Sequence, residues 1–380
     1  MAAPTQDQVT AALATVNDPE IRRPITELDM VESVEISPEG MVSVRILLTV
    51  SGCPLKDTII RETTAAVSKV EGVTGVQVDL GVMSTEQRKG LQTKLRGDKG
   101  PEKEIQFNQP GSLTRVFAVA SGKGGVGKSS VTVNLAAAMA ASGLKVGIVD
   151  ADIYGHSVPR MLGAAERPTK VEDMIMPPMA HDIKVISVGM FKPPGNSAVV
   201  WRGPMLDRAL HQFLADVYWG DLDILLLDLP PGTGDIAISV AQRLPSAELL
   251  IVTTPQQAAA EVAERAGSIA AQTHQQIAGV IENMSYLPCP HCQERIPVFG
   301  EGGGQDVADA LTRTLGTRVP LLGQIPLDTR LREGGDEGKP LVLTDPDAPA
   351  AAELIKIAAG LSKRGSSIKG LQLGLSPAGR

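Results

Sequence analysis

Eight consecutive residues, Gly122-Lys-Gly-Gly-Val-Gly-Lys-Ser129, have the types and spacing of a loop that holds phosphate. They fill the pattern of a glycine, four free positions, then Gly-Lys and Ser or Thr. Gly122, Gly124, Gly125 and Gly127 let the backbone turn tightly, so that loop N–H groups, that of Val126 included, point inward at phosphate oxygens. A helix opening directly after the loop adds its positive end. Lys128 is placed to reach the β- and γ-phosphates, and the Ser129 hydroxyl to ligate Mg2+. ATP with Mg2+ is the expected ligand pair.

A magnesium site needs more oxygen, and an acidic residue ending a strand is the usual source. Ile224-Leu-Leu-Leu-Asp228 supplies one, four apolar residues and then a carboxylate. The Gly/Pro loop Leu229-Pro-Pro-Gly-Thr-Gly-Asp235 follows, and the N–H of Gly232 is placed to sense a γ-phosphate. Asp150 and Asp152 end another apolar run. Two apart in extended chain, they project the same way, and either can hold the metal's water shell or orient an attacking water. Lys123 is a second lysine inside the loop, beyond what an ordinary phosphate loop needs.

The second cluster is Cys289-Pro-His-Cys292, whose spacing lets two thiolates face one metal centre. On residues alone it reads as a redox dithiol, as a surface zinc site, as two unremarkable cysteines, or as half the thiolate shell of an iron–sulfur cluster. His291 reads as a third zinc ligand or as a plain surface residue. A 4Fe–4S cluster takes four thiolates, and two chains supply two each. The third cysteine, Cys53, lies just before an expected helix. That place either lowers its pKa, making it reactive or a transient cluster ligand, or leaves it a small packed side chain.

These groups need elements to position them. The 380 residues are 43% apolar and 21% charged, ordinary for a globular protein of two or three domains. Aromatics are only 3%, so aliphatic residues must fill the core. A net charge of −7 argues against general nucleic-acid binding. No signal peptide or membrane-spanning run is legible, and three cysteines fit a reducing cytosol better than a disulfide framework.

Residues 1–85 read as a small α+β unit, with helices at Gln6–Ala14 and Lys56–Val70 and strands at Met41–Val50 and Val76–Leu80. Residues 86–111, which overlap most of the charged stretch Ser84–Gln109, read as a polar linker. Residues 112–363 alternate strands and helices. Expected strands are Val116–Ala120, Val146–Asp150, Ile183–Val188, Ile224–Leu229, Glu248–Val252, Ile277–Ile281 and Val319–Ile325. Expected helices are Ser129–Ala141, Met205–Val217, Ile236–Gln242, Gln257–Ala271 and Ala348–Leu361. The pattern predicts a doubly wound, mostly parallel α/β domain with helices on both faces. Residues 364–380 read as a flexible tail.

Ser121-Gly-Lys-Gly-Gly-Val-Gly-Lys-Ser129 resembles the deviant phosphate loop of the MinD/ParA/nitrogenase-iron-protein class. Val149-Asp-Ala-Asp-Ile-Tyr-Gly-His156, Trp201-Arg-Gly-Pro-Met205, Asp228–Asp235 and Glu282-Asn-Met-Ser285 resemble the Mrp/ApbC group of iron–sulfur cluster carriers. Asp18-Pro-Glu20 and Gly52-Cys-Pro54 resemble a small SufT/PaaD-like assembly domain. Together the likeness covers about residues 6–360. It implies that Lys123 crosses a dimer interface to the partner's nucleotide, that Asp152 is the switch I aspartate that positions water, and that Asp228 is the Walker B aspartate. It also implies that Asn283 contacts adenine; as a residue alone, Asn283 reads equally as a turn residue after a strand.

The expected catalytic set is thus Lys123, Lys128, Asp152 and Asp228. The resemblance further implies a 4Fe–4S cluster bridging Cys289 and Cys292 of two chains. The expected whole is a cytoplasmic homodimeric ATPase that transfers its cluster to apo-proteins and works with the cluster assembly machinery, without nucleic acid or membrane as partner. The rival reading is a ParA/MinD-like positioning ATPase with a structural zinc site.

Overall fold

The computed structural model describes residues 3–363 except 20, 22, 50–54, 97–103, 110, 153–154, 156, 192–202, 233–234, 257–264, 267, 269 and 274. Cys53 with its neighbours Gly52 and Pro54, Trp201-Arg202, most of the helix expected at 257–271, and the tail 364–380 lie outside the described residues.

The first unit holds helix α1 (Gln6–Leu13), strands β1 (Val31–Ile36) and β2 (Met41–Leu48), helix α2 (Lys56–Val67) and strand β3 (Gly75–Val82). Thr5 starts α1 through a capping box with Gln8. Strand β2 alternates, burying Val42, Val44 and Ile46, and pairs antiparallel with β1 and parallel with β3. β1 was not foreseen.

The stretch expected as linker folds differently in its first half, where helix α3 runs over Thr85–Arg96. Ser84 and Gln87 close a reciprocal capping box, 2.8 Å and 3.2 Å, and Leu91 is buried. Further on, Phe107 is buried as well. Ile105 is buried beside it, so a few apolar residues in a charged sequence reach the core.

The large sheet takes strands β4 (Arg115–Ala120), β5 (Val146–Asp150), β8 (Met179–Ala180), β9 (Ile183–Ser187), β10 (Ile224–Asp228), β11 (Glu248–Thr253), β12 (Ile277–Asn283) and β15 (Leu321–Ile325). A hairpin of β6 (Thr169–Val171) and β7 (Met174–Met176) precedes β8, and a shorter one of β13 (Leu287–Pro288) and β14 (Arg295–Ile296) follows β12. The sheet order is β15-β12-β11-β4-β10-β5-β9-β8, parallel throughout except for β8. Helix α4 (Lys128–Ala141) and the helix Pro349–Ser362 cover one face. Helices Gly203–Ala215, Asp235–Arg243 and Gly303–Leu315 cover the other. This is the doubly wound α/β domain the alternation predicts. Strands β5, β9 and β10 are buried at every residue, which is why they read as largely apolar runs.

The two units share a core. Val171, Met174 and Met176 of the β6–β7 hairpin pack with Val9, Leu13 and Ile46 of the first unit. Arg88 of α3 forms a 3.1 Å ion pair with Glu172 at the hairpin tip. The hairpin is tied back to the large domain by Ile175, whose N–H donates to Asp216 O and whose carbonyl accepts from Tyr218 N, both at 2.8 Å. Among the described residues no helix is long and apolar enough to cross a membrane.

Candidate nucleotide site and cysteine hairpin

Strand β4 lies at the middle of the sheet, and the chain leaves it first toward β5 and later, from β10, toward β11. Ligands in open α/β sheets bind at such a reversal, outside the carboxyl ends of the strands. Gly122–Ser129 occupies that place between β4 and α4. Gly125 and Gly127 have φ of 80° and 79°, the left-handed conformation that glycine takes at no steric cost. At Gly127 space matters too, since a Cβ there would collide with Asn283 Nδ2.

Register sets the carboxylates. Asp228 ends β10 directly opposite Asp150, the end of β5, and both are fully buried. Asp228 Oδ2 accepts from the Ser129 hydroxyl at 2.6 Å, and Oδ1 from the Thr132 hydroxyl at 2.8 Å. Lys128 Nζ lies 2.8 Å from Asp228 Oδ2. That contact is an ion pair, and no other acceptor bonds the buried ammonium, so it has N–H donors left over.

Asp150 is the perturbed member. Burial pushes its pKa up to about 7, and the Asp228 charge pushes the same way. Hydrogen bonds from Ser187 Oγ at 3.0 Å and Asp152 N at 3.2 Å, together with the Lys128 charge, offset part of the rise. Asp152 is less enclosed, and its Oδ1 accepts from Gly155 N at 2.9 Å within its own loop.

Three expected groups sit differently from their sequence reading. Asn283 is buried behind the loop, and its Nδ2 donates to Val126 O at 2.9 Å, so in this conformation its amide braces the loop. The Gly232 N–H donates to Ser121 O at 2.9 Å, which leaves it engaged within the protein. The Lys123 ammonium donates to Gln256 Oε1, beyond the end of β11. Thr132, Ser187 and Gln256 were missed by sequence reasoning. Thr132 had a signal, being one helical turn beyond Lys128 and Ser129 and so on their face.

The cysteines sit in the turn between β13 and β14. Cys289 N–H donates to Glu294 O, and Cys289 O accepts from Gln293 N, each at 2.9 Å. Gln293 takes a left-handed φ of 62° to close the turn. The backbone N–H groups of Cys292 and then His291 point at the Cys289 sulfur, and with the Cys292 side chain they lower its thiol pKa. Cys289 is half-buried and Cys292 exposed, and neither is in a disulfide. Among the described residues no three His, Cys, Asp or Glu side chains converge as metal ligands.

The donor chemistry fits the expected ligands. Oxygen atoms of Ser129 and Asp228 suit Mg2+. The unspent Lys128 donors and the glycine cradle suit a triphosphate. The lowered Cys289 thiol suits a thiophilic metal.

Comparison with known proteins agrees with that chemistry. Residues 112–362 match the family model of the NUBPL iron-transfer P-loop NTPases, and residues 6–79 that of an iron–sulfur cluster assembly protein. The chain is 61% identical over 379 residues to a protein of Mycobacterium leprae named iron–sulfur cluster carrier protein, covering 100% of this chain and 98% of that one. A protein of the same name from Deinococcus radiodurans is 42% identical over 358 residues, 94% of each chain. Among solved structures, a nucleotide-binding protein of Archaeoglobus fulgidus in complex with ADP aligns with a TM-score of 0.52 at 35% identity, over 62% of this chain and 90% of that one.

Proposed function

Because this chain belongs to the NUBPL iron-transfer P-loop NTPase family, we propose that it hydrolyses ATP and carries a 4Fe–4S cluster, held between two copies, to apo-proteins. One observation carries the reading: the loop with the unspent lysine and the two-cysteine hairpin are joined by a short, pinned segment. Asn283 braces the loop, and Cys289 follows six residues later. Between them Ser285 N donates to Ile325 O at 2.9 Å and Tyr286 O accepts from Leu327 N at 2.7 Å. Movement at the phosphates thus has a stiff path to the thiolates.

In this reading the loop amides and Lys128 bind the phosphates. Ser129 and Asp228 hold Mg2+, which supplies charge neutralisation at the β- and γ-oxygens when bound. Asp152 orients the attacking water. The Gly232 N–H exchanges Ser121 O for a phosphate oxygen, and Lys123 leaves Gln256 for the nucleotide of a second copy. Two Cys289–Cys292 hairpins then supply four thiolates. The first unit recruits apo-proteins or assembly partners.

Metal analysis of anaerobically reconstituted protein tests the proposal. The expected result is a dimer with about four iron atoms and matching sulfide per two chains. Cys289→Ala and Cys292→Ala should each lower iron to background while leaving ADP binding intact. Full, oxygen-sensitive iron in either single variant would overturn the bridging cluster, and a colourless zinc protein would turn the reading toward a positioning ATPase.

A further inference from the structure

Nucleotide and Mg2+ would draw on two of the three side chains that contact Asp228. Phosphate takes the Lys128 donors, and Mg2+ takes a lone pair of the Ser129 oxygen. The Ser129 proton can still go to Oδ2, but both partners of that oxygen are then placed by the ligands as well as by the protein. The Thr132 hydroxyl, on Oδ1, is not drawn on by either ligand.

We propose that Thr132 is the residue that keeps Asp228 aimed once Mg2+ and nucleotide have entered. The inference rests on the reading of Asp228 as a partner of Mg2+. Thr132 has no solvent exposure. Its hydroxyl carries one proton and has two acceptors in reach, Asp228 Oδ1 at 2.8 Å and the Lys128 carbonyl at 3.0 Å. The carboxylate is the nearer and the charged one, so the proton goes there. The Lys128 carbonyl is within a helix, where a threonine hydroxyl commonly leans on the carbonyl four residues back. That leaning fixes the side-chain rotamer, and the fixed rotamer fixes the carboxylate. One carboxylate oxygen is thereby tied to α4 and the other is left directed at the site. Because α4 also begins with Lys128 and Ser129, the metal's serine and its aspartate are held to one rigid element although the aspartate comes from the end of β10.

Thr132 acts through Asp228 and touches neither nucleotide nor metal, so it is a positioning residue. Its signature is a loss confined to Mg2+-dependent binding. Thr132→Val keeps the shape and removes the hydroxyl. ADP binding by calorimetry, with Mg2+ and with EDTA, separates the two contributions. Mg2+ should strengthen ADP binding about tenfold less in Thr132→Val than in the wild type, the loss expected of one hydrogen bond to a charged group. ADP binding in EDTA should stay within about twofold. Thr132→Ser, which restores the hydroxyl, should recover the Mg2+ effect. Should Thr132→Val fail to fold, Thr132→Ala read against Thr132→Ser isolates the hydroxyl in the same way.

Equal weakening with and without Mg2+ assigns Thr132 a packing role and overturns the inference, as does an unchanged Mg2+ effect or a serine variant that fails to recover it. A wild type whose ADP binding ignores Mg2+ altogether overturns the reading of Asp228 instead.

Discussion

Asp150→Asn makes a sharp test of the electrostatics at the strand ends. Asp150 has no solvent exposure and faces Asp228 across the β5–β10 register. Its pKa rises from 3.8 to about 7 in the folded chain, so its charged form is disfavoured there by roughly 4 kcal/mol. The sign follows from proton counting. Between pH 3.8 and about 7 the unfolded chain has lost this proton and the folded chain has kept it. Stability therefore falls as pH rises through that window, and the full cost is in place above it. Asparagine removes the titration and keeps a carbonyl for the Asp152 N–H, while the Ser187 hydroxyl can turn to accept from the new amide. The variant should therefore gain on the wild type as pH rises. Between pH 5 and pH 8 the gap should widen by roughly 2–3 kcal/mol. Urea unfolding of nucleotide-free protein at pH 5, 6, 7 and 8, followed by circular dichroism, measures it. A gap that is the same at pH 5 and pH 8 would refute the reasoning, whatever its sign.

Two further outcomes are expected. Lys128→Ala removes the buried cation that faces the phosphates and should cut ATP turnover by about 100-fold or more, measured as phosphate release; near-normal turnover would mean that another loop does the chemistry. Gly127→Ala meets both a left-handed φ and Asn283 Nδ2, whereas Gly125→Ala meets the φ alone, with no atom within 4 Å of its Cβ. Without nucleotide, Gly125→Ala should cost about 1–2 kcal/mol and Gly127→Ala clearly more, read from thermal melts.

Much of this was legible in the chain because the signals were local. The phosphate loop is one contiguous pattern, and Ile224–Asp228 announces a buried strand with a carboxylate at its tip. The capping box Ser84-Thr-Glu-Gln87 was equally local, but the charge of its surroundings hid it, so α3 passed for linker. What stayed illegible depends on register. Nothing in the order of residues says that Asp150 faces Asp228, because β5 and β10 become neighbours only through the sheet order. Asn283 is similar. Its place after a strand suggested a turn residue or a base contact, and its burial against Val126 arises from the packing of β12 behind the loop. The Gly232 bond to Ser121 O likewise joins residues more than a hundred positions apart.

The shared core has a consequence for the order of synthesis. Residues through Arg96 leave the ribosome first and already hold three strands and three helices. Their core is nonetheless unfinished until Val171, Met174 and Met176 arrive. At roughly 5–20 residues per second, that interval lasts seconds. During it the phosphate loop, α4 and β5 emerge before the hairpin covers the first unit. The early unit therefore waits with one apolar face uncovered until the hairpin is made. A slower stretch of translation after Met176 would favour correct closure more than one placed at residue 85, where the division by sequence alone falls.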